Sequence, residues 1–199
     1  MYKLLGTHNS ATGEMPSDLL SFLGSPVAQC QKRTILGQCA AGVRLFDLRV
    51  KPYHHATRYN LYYPLESIGN CTLGHGECDY MITLEDALEH INDFGKENDR
   101  KMYVLITLEG KLNVPLAKFL SDIKKLVKKY PQIVLLEINI KKPTWTQLYR
   151  NKDCKVTYTK DYPLIKGWKV LFPFPRFWNK FIQYRPQVKQ TVYSLRDFV

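Results

Sequence analysis

VRLFDLRV, residues 43–50, carries five apolar side chains broken only by Arg44, Asp47 and Arg49. Two later runs share its character: MYVLITLE at 102–109 and QIVLLEINI at 132–140. Segments this continuously apolar, rich in Val, Ile and Leu, fit parallel strands covered on both faces better than an antiparallel sheet with one wet side. The intervening sequence reads differently. TLEDALEHINDFGKEN (83–98) opens on Thr83 as an N-cap with acidic residues in its first turn, and it places Leu84, Ala87, Leu88 and Ile91 on one side. The stretch 115–130 places Leu116, Leu120, Ile123, Val127 and Tyr130 on one face and Lys118, Asp122, Lys125 and Lys129 on the other. Both predict amphipathic helices lying on a sheet. Strands alternating with helices predict an α/β fold, either an open doubly wound sheet or a barrel.

In either architecture functional side chains gather at the C-terminal ends of the strands. Polar residues stand at such ends here. His8 follows the short run Lys3 to Leu5, Asp47 and Arg49 come late in VRLFDLRV, His75 follows CTLG, and Glu109 closes MYVLITLE. Two imidazoles, a carboxylate and a guanidinium at one mouth suit acid/base chemistry on a phosphate ester. One imidazole takes a proton from the attacking oxygen, and the other gives one to the leaving group. The carboxylate orients an imidazole, and the arginine neutralises phosphoryl charge. The same spacing has a plainer reading: Asp47 and Arg49, two apart, point to the same side of a strand and form a salt-bridged pair lining a barrel. His54 and His55, in a Tyr-rich loop, and His90, on a helix, stand outside the set.

Composition bounds the rest. The 199 residues are enough for one sizeable core, and 45% hydrophobic with 24% charged residues describes a globular chain without a disordered tract or internal repeat. The net charge of +11, from 29 Lys plus Arg against 18 Asp plus Glu, calls for a polyanionic partner. Nothing but charge speaks for nucleic acid, since no zinc-finger spacing, RNP-like strand or basic heptad helix is present. Cys30, Cys39, Cys71, Cys78 and Cys154 include no CxxC pair, which argues against a structural zinc site. Buried free thiols are expected, with a Cys71–Cys78 disulfide as the alternative for a secreted protein. MYKLLGTHNS lacks the apolar core of a signal peptide, and no run approaches the roughly 18 apolar residues of a spanning helix. A cytoplasmic or peripheral-membrane location is expected.

Taken in order, GTHNSAT, QCAAGVRLFDLRV, LGHGE, ITLEDALEHINDF and MYVLITLEGK resemble the X-region of the phosphatidylinositol-specific phospholipase C superfamily. The resemblance is strong over 1–112 and weak beyond it. It implies a TIM-type (β/α) barrel forming a single catalytic domain over 1–199, with the motifs in 1–112 and the remaining barrel elements in 113–199. The implied reaction cleaves phosphatidylinositol-type lipid to diacylglycerol and an inositol cyclic phosphate. By the resemblance His8 is the general base, His75 the general acid, and Asp47 assists beside them. Arg49 matches the arginine that takes the place of calcium in metal-independent bacterial members. Asn9, Glu109 and Lys111 fall at substrate-binding positions. Asn9 and Glu109 also match the calcium-dependent pattern, so Asn9, Asp47 and Glu109 form an alternative oxygen donor set for calcium. A fixed guanidinium among them repels a divalent cation, so no cofactor is the favoured expectation, with Glu109 paired to Arg49.

A full barrel of this kind needs eight strands and about 250 residues, and this chain has room for five or six strands. The expected barrel is therefore incomplete or irregular, with an edge open to homodimerisation or unusual closure. WKVLFPFPRFWNKFIQYRP, 168–186, begins as a further strand and then interleaves Phe174, Phe177, Trp178, Phe181 and Tyr184 with Arg176, Lys180 and Arg185. That mixture suits either a headgroup interface or a plug for the open barrel. The expected partner is phospholipid at an anionic membrane surface, with no nucleic acid. The alternative is an inactive relative that binds anionic headgroups or a partner protein.

Overall fold

The computed structural model describes residues 4–7, 9–28, 30–52, 67–110, 112, 114–140, 148–150, 155–157 and 192–196. Lys111 and His8, the aromatic segment at 168–186, and His54 and His55 lie outside the described residues. Strands are β1 (Leu4–Thr7), β2 (Leu45–Lys51), β3 (Thr72–His75), β4 (Cys78–Thr83), β5 (Met102–Leu108), β6 (Ile133–Asn139), β7 (Leu148–Arg150), β8 (Lys155–Thr157) and β9 (Val192–Arg196). Helices are α1 (Leu19–Ala28), α2 (Ile35–Ala40), α3 (Leu84–Glu97) and α4 (Leu116–Val127).

The three apolar runs become β2, β5 and β6, mutually parallel in the order β2-β5-β6. On the other side β1 runs parallel to β2, β9 parallel to β1, and β8 parallel to β9. Among the described residues six parallel strands thus lie in the order β8-β9-β1-β2-β5-β6, with β9 beside β1. This is the order of an incomplete α/β barrel, and among the described residues β6 pairs with β5 alone. The covering helices form as their sequences predict. Thr83 Oγ1 accepts the Asp86 N–H while the Asp86 carboxylate accepts the Thr83 N–H, closing a capping box at the start of α3. Leu84, Ala87, Leu88 and Ile91 are fully buried, each large side chain contributing about 1.5–3 kcal/mol.

Two expectations need correction. Leu116 is exposed at 39%, whereas Ile123 and Val127 are buried as expected, with Phe119 and Leu126 beside them and Leu120 and Tyr130 partly buried against the core. Leu116 is the first residue of the helix, at the end of the buried stripe. His75 does not end a parallel strand. It closes β3, antiparallel to β2, and faces Cys78 across a β3–β4 hairpin with the two-residue loop Gly76-Glu77. Gly76 takes φ 60, the left-handed region that a side chain disfavours and such a loop requires. The cysteines follow the favoured expectation: Cys71 and Cys78, like Cys30 and Cys39, are buried free thiols.

Faces of β2 divide cleanly. Phe46, Leu48 and Val50 join the helix-side core, together with Val104 and Ile106 of β5. Asp47, Arg49 and Lys51 share the opposite, interior face, as a period of two requires. One edge of β2 is occupied by β5 from Leu45 to Val50. The other is shared: β1 pairs only as far as Phe46, and β3 takes over at Val50. The gap between them exposes the backbone of Asp47. Its N–H donates to Ser10 Oγ at 2.9 Å, from the 3-10 turn Ser10–Gly13 that follows β1.

Candidate active site

Asp47 stands in that gap. Asn9, in the left-handed conformation (φ 47, ψ 56), turns the chain out of β1 so that its N–H donates to Asp47 Oδ2 at 3.2 Å. Asn is among the few residues that take this conformation at small cost. Thr107 on β5 donates its hydroxyl to Asp47 Oδ1 at 3.5 Å, and Asn139 Nδ2 on β6 donates in turn to Thr107 Oγ1 at 3.5 Å. The Asp47 carboxylate is 1% exposed. The turn after β1 and strand β5 thus both bond the carboxylate directly, and β6 supports it through Thr107.

Arg49, 7% exposed, lies between two carboxylates. Its Nε is 3.4 Å from Asp47 Oδ2, and its Nη1 is 3.5 Å from Glu109 Oε2. The pairing of Glu109 with Arg49 expected from the sequence is present. Glu109, 2% exposed, also reaches across to the hairpin, where its Oε1 accepts the Gly76 N–H at 2.9 Å. A continuous polar chain therefore runs from the Asn9 backbone through Asp47, Arg49 and Glu109 to the turn beside His75. His75 itself is half-buried.

Asn9 is fixed from both ends. Its Nδ2 donates to Cys30 Sγ at 3.3 Å, while Oδ1 is buried and has no hydrogen-bond partner among the described residues. Burial of such an oxygen costs about 1–3 kcal/mol. His90 sits on α3, in the helix layer rather than at the mouth.

Sequence reasoning missed Lys51 and Asp79. Lys51, 2% exposed, is the third interior residue of β2 and forms an ion pair with Asp79 of β4. The signal was available, since the alternation that pairs Asp47 with Arg49 continues to Lys51. Gly74 makes this possible, because a Cβ there would meet the Cys78 carbonyl oxygen at 2.7 Å and the Lys51 side chain closer still. Burial pushes up the Cys78 thiol, an effect opposed by the Lys51 charge, and burial likewise raises the Tyr80 phenol. Neither group is poised as a base near neutral pH.

Among the described residues no group of three or more His, Cys, Asp or Glu side chains is arranged to hold a metal ion. Nor is any described helix long and apolar enough to cross a membrane. A cavity of about 250 Å³ lined by Ser67, Phe119, Lys118 and Lys125 lies beside α4 and includes none of the residues above.

No family model matches the sequence, and no curated protein matches it either. Solved structures do match. A variant of the phosphatidylinositol-specific phospholipase C of Staphylococcus aureus aligns over 96% of this chain and 69% of its own, with TM-score 0.58 and 15% identity. A second structure of that enzyme, concerned with modulation of its membrane binding, aligns over 97% and 72% at TM-score 0.55 and 16% identity. The chain has the fold of bacterial phosphatidylinositol-specific phospholipases C. The Listeria monocytogenes enzyme is 23% identical over 69% of this chain, at TM-score 0.49. The chain spans 51% of that enzyme and 62% of another Staphylococcus aureus structure.

Proposed function

We propose that the protein is a peripheral phosphodiesterase of the phosphatidylinositol phospholipase C type, working without a metal. The observation that carries this reading is the polar chain from Asn9 through Asp47, Arg49 and Glu109 to Gly76. It joins the backbone next to His8 to the turn next to His75, at the C-terminal ends of β1, β2 and β5. Such convergence at one end of parallel strands is where this architecture assembles catalysis.

In this reading His8 removes the proton from the inositol 2-hydroxyl as its oxygen attacks phosphorus. The bond from phosphorus to the glycerol oxygen breaks, and His75 gives its proton to that oxygen. The products are diacylglycerol and inositol cyclic phosphate. Asp47 stabilises the imidazolium that forms, and Arg49 neutralises the phosphoryl oxygens. A buried guanidinium already flanked by two carboxylates is pre-organised, so it neutralises phosphoryl charge with little reorganisation. Asn9 and Lys111 are assigned to the substrate.

Calcium does not fit the alternative donor set of Asn9, Asp47 and Glu109. Arg49 occupies the space between the two carboxylates, and a unit positive charge 4 Å from its guanidinium would cost about 4 kcal/mol at an effective dielectric of 20, a divalent ion more. The unpartnered Asn9 Oδ1 is left to accept from a substrate hydroxyl.

Membrane contact is assigned to α1. Leu19, Leu20, Phe22 and Leu23 are 59–81% exposed, and Met15 and Met81 beside them are 71% and 63% exposed. The segment is anchored to β4 by Ser17 and Ser21, which bond the Asp79 carbonyl and N–H at 3.0 and 2.9 Å. The patch therefore adjoins the hairpin that carries His75. An exposed apolar patch of this size marks an interaction surface, and the +11 charge favours an anionic one.

The test is release of diacylglycerol or inositol phosphate from phosphatidylinositol vesicles by the wild type, His8→Ala and His75→Ala. Loss of either general acid/base group should lower turnover by about 10²–10⁴-fold. Equal turnover in all three sinks the reading. Salt-sensitive vesicle binding without product would instead favour a headgroup-binding module.

A further inference from the structure

We propose that Glu109 is a positioning residue for His75, acting through the backbone of the turn rather than as a contact to substrate or metal. The inference rests on the reading of His75 as the general acid. Gly76 is the first residue of the two-residue hairpin loop, and its N–H belongs to the peptide that joins it to His75. Whatever fixes that N–H fixes the main chain of His75. The group that does so is Glu109 Oε1, at 2.9 Å.

Glu109 is well placed to transmit rigidity. Its own N–H donates to the Val50 carbonyl at 2.8 Å, extending the β2–β5 ladder one residue past the end of β5. Strand β2 is buried along its whole length and β5 nearly so, whereas the loop residues Gly76 and Glu77 are exposed. An exposed loop held only by its own strands frays readily. The carboxylate ties it to the sheet with a charge-assisted bond, the stronger kind.

The chemistry of the carboxylate argues against direct substrate contact. Glu109 is 2% exposed, with one oxygen on Gly76 and the other 3.5 Å from Arg49. An anionic phosphodiester would be repelled by it and drawn to Arg49. Glu109 thus holds both partners of the reaction in place, Arg49 by charge and His75 by the turn.

Two variants separate these roles. Glu109→Gln keeps an oxygen acceptor for the Gly76 N–H but loses the charge facing Arg49, whereas Glu109→Ala loses both. The readouts are amide hydrogen exchange at Gly76 by NMR, and kcat and KM on phosphatidylinositol vesicles. The Gly76 amide should be protected in the wild type. It should stay protected in Glu109→Gln and exchange about 10- to 100-fold faster in Glu109→Ala, the amides of Val104 and Ile106 being unchanged. For kcat, Glu109→Ala should fall at least about tenfold below Glu109→Gln. An unprotected Gly76 amide in the wild type overturns the proposal even if Glu109→Ala fails to fold. So does equal loss of protection and kcat in the two variants. Should no protein turn over lipid while the protection pattern appears as stated, the phospholipase reading fails and the link from Glu109 to the turn stands.

Discussion

Arg49 Nε lies 3.4 Å from Asp47 Oδ2, two residues along the same strand, with both side chains withdrawn from water. Desolvating two charges costs several kcal/mol per ion, so a pair of this kind is weak evidence of added stability. Its value lies in what it fixes. Asp47 cannot turn away from Arg49 without losing Thr107 and the Asn9 N–H, and Arg49 cannot leave without stranding two buried carboxylates.

Removal of Arg49 should therefore be severe. Arg49→Ala leaves Asp47 and Glu109 buried without their cation and should destabilise the fold by about 3–5 kcal/mol, with Arg49→Lys costing less. Urea denaturation followed by circular dichroism measures this. An unfolding midpoint within error of wild type for Arg49→Ala would show that the pair does not organise the site.

The fold was legible where burial imposes a pattern. Apolar runs gave β2, β5 and β6, and the Thr83 cap with its following periodicity gave α3. Helix α1, LLSFLGSPVA, escaped because Gly24, Ser25 and Pro26 are poor helix formers and its leucines face solvent, so no buried stripe marks it. The hairpin escaped because its loop is Gly-Glu rather than a strong turn pair such as Asn-Gly. Strands β7 and β8 are three residues each, too short for any period. At the site, Asp47 and Arg49 were legible from strand spacing. The contact of Glu109 with Gly76 was not, because it joins elements 33 residues apart through a turn that the sequence did not reveal.

Gly74 should not tolerate a side chain. A Cβ there meets the Cys78 carbonyl oxygen at 2.7 Å, and backbone cannot yield as a flexible side chain can. Gly74→Ala should cost about 1–3 kcal/mol and disturb the Lys51–Asp79 pair, and with it the hairpin bearing His75. Thermal unfolding and turnover should fall together. Unchanged values of both would show that the hairpin has slack.

The thiols make an alkaline prediction. Burial raises Cys39 and Cys71 from 9.0 to about 12. A pKa raised on folding means that the folded state holds its proton where the unfolded state has lost it. The stability from these thiols is complete below pH 9 and is lost as pH climbs from 9 toward 12, by up to about 1.4 kcal/mol per pH unit for each thiol. Denaturation midpoints across that window should decline less steeply in a Cys39→Ala, Cys71→Ala double variant. An equal slope in the two proteins would mean that other groups govern the alkaline limb.

Leu20 and Leu23 test the membrane assignment with little risk to the fold. They are 81% and 65% exposed, so replacing them with Ser removes almost no packing, and stability should stay within about 0.5 kcal/mol of wild type. If α1 enters the bilayer, each loses the transfer energy of a leucine side chain, about 1.5–3 kcal/mol at full burial. The double variant should then bind vesicles containing phosphatidylinositol at least about tenfold more weakly. Turnover of a soluble inositol phosphodiester should be unaffected, because Leu20 and Leu23 are exposed and the Asp47–Arg49–Glu109 network is buried. Sedimentation with vesicles measures the first quantity and product release the second. Undiminished vesicle binding would move the membrane contact away from α1.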